Sequence, residues 1–459
     1  MLVIILPLIY LSAFLFALRG IIRGNRQEVL LYLIFGLPIY ITALSVTFEL
    51  GFRGVIGIFQ AFKEIIILTL LVFQISTLKA SFRLQLVDYI VIAFFSYTFL
   101  YVLLPIGDYS FIIRLTAFKS TSFWVMVYFA GRFLDPASIY INKYFHYILY
   151  LAIAAAILGL FEFITQTHFH TMIGFADFNY YIYNLEPNGQ YNLSWTFETS
   201  TGLKRFGSLF ANPIEHSAAT ILSLSVAVAL YTSDNNKLKL NNFGYVALAA
   251  TLISIITALS RASFVNYFVV IYFYALITGK KQIIRLVHYG FLAAVLYFVF
   301  MLQNDDLRDF VIGTLNFTDS SSVGHVLQWL EGIEAIIENP LGLGLGASGR
   351  MAGSMQGNVG GENQFIIFGV QAGVIAMFLY ISIYIIIVKT AWKWFFKLEG
   401  KEKKVCLALL MMKIGFVIPL LTSELETSSY ISYMTWFFTG LFINIIANRK
   451  NSEVSDLGY

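Results

Sequence analysis

Residues 363–388 read NQFIIFGVQAGVIAMFLYISIYIIIV. The stretch contains no Asp, Glu, Lys or Arg, and it is long enough to cross the ~30 Å hydrocarbon core of a bilayer as a helix. Runs of this kind recur down the whole chain. They fall near 2–18, 29–47, 56–76, 86–105, 118–134, 144–164, 213–232, 243–259, 262–278, 286–302, 363–388, 405–422 and 430–447. Of the 459 residues, 58% are hydrophobic and only 12% charged, about half the ~25% charge of soluble domains. A β-barrel would alternate apolar and polar residues over roughly ten positions, and these runs do not alternate. The expected fold is therefore an all-α polytopic membrane helix bundle of about 12–14 transmembrane helices. One such domain spans residues 1–459. The first run, 2–18, has no basic flank and no small-residue cleavage site, so it reads as a retained anchor.

Charge placement orients the bundle. One set of connectors holds Arg19, Arg23, Arg26, Lys79, Arg83, Arg132, Lys143, Lys237, Lys239, Lys280, Lys281, Arg285, six lysines between 389 and 404, Arg449 and Lys450, 20 basic residues in all. The alternate set holds 8, namely Arg53, Arg114, Lys119, Lys204, Arg205, Arg261, Arg308 and Arg350. The positive-inside rule makes the first set cytoplasmic and the second external. Two external loops are long, 165–212 and 303–362, so function is expected on that face. Net charge is only +4, and nothing points to nucleic acid. Cys406 is the single cysteine, which leaves no disulfide framework or thiol metal cluster.

The second loop carries a short amphipathic helix. Val326, Leu327, Leu330, Ile333, Ile336 and Ile337 recur at helical spacing, with Glu331, Glu334 and Glu338 opposite. A serine run offers an N-cap, and Pro340 ends the helix. Its structural role is a lid packed on the bundle. The following glycine-rich segment, 342–361, lacks the G-K-[ST] ending of a phosphate loop and reads as a flexible loop, or as a backbone nest for an anion.

Ionisable residues mark candidate chemistry. Arg205 and Arg261 sit at the ends of long apolar stretches, where a cation is costly and is kept for a partner or an anionic ligand. Arginine's fork suits phosphate oxygens. His325, Glu362, Glu215 and His216 are the titratable candidates for proton transfer. His168 and His170 in THFHT fall short of a metal site and read as structural. Lys63 and Glu64 suggest a neutralising pair near a span end, and Glu424 and Glu426 are expected solvated or at the bundle mouth.

Four segments carry a family resemblance: RFGSLFANP (205–213), SRASF (260–264), GHVLQWLEGIEAIIENPLGLGLGASG (324–349) and GENQFIIFGVQAGVIA (361–376). Over about residues 200–390 the chain resembles the O-antigen polymerase and ligase superfamily of bacterial envelope glycosyltransferases, polymerase type. The resemblance implies a metal-independent enzyme without cofactor. Its substrate is an undecaprenyl diphosphate-linked glycan, used at the external face of the bacterial cytoplasmic (inner) membrane. It also brings in a flippase and a chain-length regulator as partners, beside the lipid bilayer itself. Carried over by position, Arg205 and Arg261 hold the diphosphate, joined by Arg350. Glu362 is the expected base for the acceptor hydroxyl, with His325 in reserve. His325 stands where many relatives have arginine. Glu362 stands where ligases carry histidine, which argues for polymerase. The rival readings are the ligase and a lipid-linked oligosaccharide flippase or other transporter.

Overall fold

A computed structural model describes residues 2–78, 82–199, 201–301, 320–353 and 358–456. Lys79, Arg308 and the parts 302–319 and 354–357 of the second long loop lie outside the described residues. The helices, in chain order, are α1 (Ile5–Ile22), α2 (Arg26–Glu49), α3 (Arg53–Ile75), α4 (Leu86–Leu103), α5 (Phe111–Ser122), α6 (Trp124–Arg132), α7 (Ile141–Thr165) and α8 (Phe175–Tyr183). They continue with α9 (Pro213–Tyr231), α10 (Asn242–Ala258), α11 (Arg261–Thr278), α12 (Lys281–Met301), α13 (Ser320–Glu338), α14 (Gln364–Phe395), α15 (Gly400–Thr422) and α16 (Ser429–Asp456). Among the described residues only isolated bridges interrupt this all-helical architecture, Glu198 with Lys204 and Thr232 with Leu238.

Ten helices among the described residues are long and apolar enough to cross a membrane, and α10 is a shorter apolar helix. The chain is a multi-pass helical membrane bundle. Two of the thirteen expected runs take another form. Residues 118–134 divide between α5 and α6 at Phe123, and the described part of the run 286–302, residues 286–301, lies in α12, whose first turns carry Lys281, Arg285 and His288.

The deciding stretch 363–388 is itself broken. Ala372 (φ −131°, ψ 18°) and Gly373 (φ 78°, ψ 177°) are non-helical inside α14. The chain at 340–344 supplies the missing backbone partners. Leu343 N donates to Val370 O at 2.7 Å, Gly344 N to Gln371 O at 3.1 Å, and Val374 N to Pro340 O at 3.0 Å. Irregular backbone survives at membrane depth only where protein satisfies it, and here a loop does so. Gly373 occupies a region of φ/ψ space open essentially to glycine, and a Cβ there would stand 2.5 Å from the Pro340 carbonyl oxygen.

The core centres on α16, whose apolar window is 100% buried. It crosses α6 at two glycines. A Cβ on Gly440 would collide with the Tyr128 carbonyl oxygen, and one on Gly131 with that of Phe437. Small residues let helices approach this closely in a membrane. Beside the crossing Arg132 is fully buried. Its Nε lies 3.1 Å from both Asp88 oxygens, its Nη1 donates to Asn444 Oδ1 at 3.1 Å and its Nη2 to Arg83 O at 2.9 Å, while Tyr128 donates to Asp88 Oδ1 at 2.5 Å. Arg132, counted above as a connector charge, is thus half of an internal ion pair.

Candidate functional site

The segment KRFGSLFANP is built around a carboxylate that the sequence reading passed over. Glu162, buried near the end of α7, accepts Phe169 N at 2.8 Å and Ser208 N at 2.9 Å. Ser208 adopts φ 53° and donates its hydroxyl to Ala155 O at 2.7 Å. His170 Nε2 lies 2.7 Å from Phe210 O, and His216 Nδ1 lies 2.9 Å from Phe206 O. Each of these ring nitrogens therefore carries the proton, because a carbonyl can only accept. Burial holds His168 at about 4 and His170 at about 3, so both are neutral at ordinary pH. His170 packs on Phe175 and Phe197, a structural role as expected. No group of three metal-ligating side chains occurs among the described residues.

This pinned loop delivers Arg205 to the end of α10. Arg205 N donates to Phe197 O at 2.9 Å, Phe206 N to Thr257 O at 3.2 Å, and the Arg205 guanidinium approaches Ala258 O at 3.4 Å. Leu259 turns the chain in the left-handed region (φ 46°), and Arg261 opens α11. The two predicted arginines are thereby brought into one neighbourhood, Arg205 lying against Ala258, three residues before Arg261. Burial first, and the neighbouring Arg261 charge second, pull the half-buried Arg205 down to about 10.

Two of the four predicted proton-transfer residues, His325 and Glu362, also meet. α13 ends at Glu338, as the proline implied, and lies against the first turns of α14. A Cβ on Gly332 would sit 3.1 Å from the Gly360 Cα, and Ile336 packs onto Gly369. Asn363 caps α14, accepting from Phe365 N at 3.0 Å and Ile366 N at 3.2 Å. Glu362, one residue earlier, is held opposite His325, with Oε2 2.5 Å from the imidazole Nδ1. The contact is close but not aligned as a hydrogen bond, and both side chains are partly open, 32% and 42% exposed. Gln328 Oε1 and Trp329 Nε1, on the next turn, are sealed from solvent without a partner. The helix is not a lid seated by its whole apolar stripe. Ile336 faces the bundle, whereas Leu327, Leu330, Ile333 and Ile337 face outward, toward lipid in a membrane bundle.

Arg350 has other neighbours. The glycine-rich loop is tied down where it is described. Ser348 donates to Val359 O at 2.5 Å, Gly349 N to Asn358 Oδ1 at 2.9 Å, and Gln371 Nε2 to Ser348 O at 2.6 Å. Gly349 (φ 81°) leaves no room for a Cβ, which would lie 2.7 Å from Glu424 Oε1. Arg350 N then donates to Glu424 Oε2 at 2.7 Å. Burial pushes the Glu424 carboxyl up to about 7, against the pull of Arg350. Glu426, partly exposed, is engaged by side chains of the bundle. It accepts from Trp436 Nε1 at 2.9 Å, from Ser432 at 2.5 Å and from the Tyr380 hydroxyl, while Lys413 lies 3.8 Å above the Trp436 ring.

No protein-family model matches the chain, and no curated protein matches it in sequence. Function therefore has to be argued from these groupings: a paired arginine site, an imidazole–carboxylate pair, and the surroundings of Arg350.

Proposed function

We propose that the chain polymerises lipid-linked oligosaccharide repeat units by glycosyl transfer from undecaprenyl diphosphate at the outer face of the bacterial cytoplasmic membrane. The observation that carries the proposal is the approach of Arg205 to the end of α10, three residues before Arg261 opens α11. A diphosphate headgroup anchored in the bilayer would sit at that depth, and two guanidinium forks would take up the charge of the departing group. In the reaction the acceptor hydroxyl oxygen bonds to the sugar anomeric carbon. The bond from that carbon to the diphosphate oxygen breaks, its electron pair leaves with the diphosphate, and the hydroxyl proton passes to a base.

The geometry supports dividing the base role between two residues. With Nδ1 turned to Glu362, the His325 ring leaves Nε2 for the acceptor hydroxyl. His325 then takes the proton and Glu362 orients and stabilises the ring, the logic of a carboxylate behind an imidazole. This exchanges the order expected from sequence, in which Glu362 came first.

A transporter reading has its own observations, the break in α14 and the buried Lys413 beside Glu426, features that transporters place between repeats. Purified protein given only lipid-linked repeat units separates the readings. A polymerase makes a ladder alone, a ligase needs a second acceptor, and a flippase makes no new bond.

Two results are expected. Arg261→Lys is nearly as damaging to polymer laddering as Arg261→Ala in a null strain at equal protein level, because lysine keeps charge and loses the fork. Full laddering with Arg261→Ala removes this residue from the diphosphate site. The second result concerns orientation, in protein whose buried Cys406 has been replaced. Cysteine at the exposed Asn339 is labelled from outside by an impermeant thiol reagent, and cysteine at the exposed Lys397 is not. The reverse pattern inverts the topology and ends the external-enzyme reading.

A further inference from the structure

α14 continues past the length that a bilayer needs. From Gln364 to Val388 it carries no charged residue, a path of about 38 Å at 1.5 Å per residue against a hydrocarbon core of ~30 Å. Lys389 is the first charge met at the far boundary, and the last turns of the helix lie at or beyond it. One exposed stripe follows this helix at three- and four-residue steps. It is first apolar, at Ile375, Phe378 and Ile385. It then changes character, to Lys389, Trp392 and Lys393, and continues onto Phe396 and Lys397, all of them exposed. Phe396 ends the helix but stays in the right-handed helical region (φ −81°, ψ −9°), so the stripe keeps its direction. The opposite side, at Ile387, Ala391, Trp394 and Phe395, is buried in the bundle.

Six lysines and two glutamates occupy residues 389–404. Three of the lysines are engaged within the protein. Lys401 Nζ donates to Ala137 O at 2.8 Å, Lys403 Nζ to Asp234 O at 2.6 Å and Lys404 Nζ to Asn142 Oδ1 at 2.9 Å. These bonds tie the start of α15 to the start of α7 and to the connector before α10. Glu402 is taken by Arg449 at 2.8 Å, and Glu399 is exposed at the start of α15. Lys389, Lys393 and Lys397 form no ion pair among the described residues, and Lys397 rests 5.3 Å from the Trp394 ring. Whatever covers the stripe must match both of its halves. A free anion leaves the apolar half uncovered. A second copy of the chain brings the same lysines against these. A zwitterionic lipid brings no net charge. A phospholipid with an anionic headgroup supplies, in order along the stripe, acyl chain for Phe378 and Ile385, an interfacial level for the Trp392 indole, and negative charge for the ammonium groups.

We propose that the stripe from Ile375 to Lys397 is a docking surface for an anionic phospholipid of the leaflet at that end of the bundle, with Lys389, Lys393 and Lys397 holding the headgroup. The inference is independent of the polymerase, ligase and transporter readings, since it uses none of the residues that they invoke.

The test uses the full chain purified in detergent and titrated with phosphatidylglycerol or phosphatidylcholine, with native mass spectrometry counting the lipid retained. Wild type is expected to retain phosphatidylglycerol in preference, and less of it as salt is raised. Each lysine beside an anionic headgroup contributes roughly fivefold, so a variant carrying Lys389→Gln, Lys393→Gln and Lys397→Gln is expected to bind it on the order of a hundredfold more weakly. Arginine at the same three positions is expected to preserve binding. A control with Lys237→Gln, Lys239→Gln and Lys281→Gln, exposed positions on other connectors, is expected to bind as wild type does. Because the three stripe lysines form no ion pair, the glutamine variant should unfold at the wild-type temperature in lipid-free detergent. If it does not fold, each single glutamine variant, with its fivefold loss, carries the same test. Equal retention of the two lipids by wild type overturns the proposal, as does undiminished binding of phosphatidylglycerol in the glutamine variants. An equal loss in the control also overturns it, since the attraction would then belong to the whole basic face. So does a lipid-free dimer that dissociates in the glutamine variant, which would make the stripe a contact between copies.

Discussion

Glu362→Gln is expected to lose polymer by about 10²–10⁴-fold while the protein remains abundant and folded, the usual effect of disabling general-base catalysis. The substitution keeps the shape of the side chain and removes the charge that faces the imidazole 2.5 Å away. Asn363, which caps α14, is untouched, so the helix start persists. His325→Ala is expected to lose a similar amount. Because the two act as one unit, the double variant should be hardly worse than either single change. In vitro laddering from lipid-linked repeat units, measured as initial rates, gives all three numbers. Losses that multiply in the double variant would mean two independent roles and no dyad. Normal rates in both single variants would leave catalysis to arginine-assisted departure of the diphosphate.

The largest effect on folding is expected at Gly440. Even a methyl group there meets the backbone of α6, at the Tyr128 carbonyl oxygen, and would stand 2.6 Å from Arg132 N. Leucine must therefore drive α6 and α16 apart. The separation costs packing along a glycine-lined crossing, typically about 1–3 kcal/mol for overpacking. It also strains the bonds that hold Arg132 to Asp88 and Asn444, and breaking a buried ion pair costs roughly 3–5 kcal/mol. Gly440→Leu should fail to yield monodisperse protein in detergent. Gly279→Leu, at a helix end where a Cβ meets nothing within 4 Å, tests for a general intolerance of bulk, since it carries only the penalty of its φ of 71°. Equal thermal stability of wild type and Gly440→Leu would refute the tight crossing.

Much of this molecule is legible in its sequence because a bilayer imposes one simple requirement. Apolar runs near 20 residues must be helices, so ten of the spans and the amphipathic α13 were readable from composition and period alone. The arginine pair was readable as two costly charges, although their meeting depends on Glu162, a single acid inside an apolar run that carries no pattern. The break in α14 was hidden for a different reason. Ala372–Gly373 lies within a long stretch free of charged residues, and its backbone partners come from a loop some thirty residues earlier, at Pro340, Leu343 and Gly344. The pairing of Glu64 with Lys119 was hidden likewise, because one sequence does not state which of its helices lie side by side.

The position of α16 bears on how the protein is made. Translation and insertion proceed from the N-terminus, yet the helix that fills the centre comes after every other one described. Until it enters, Arg132 lacks Asn444, Lys63 lacks Ser429, and Gly131 faces no neighbour. The earlier helices must wait in the membrane as a loose, open ring, with polar groups turned to an unfilled axis. Closure then comes only after the described helices that precede α16 have entered the membrane. A chain stopped before Ser429 is a bundle without its keystone, in which the Arg132–Asp88 pair lacks Asn444.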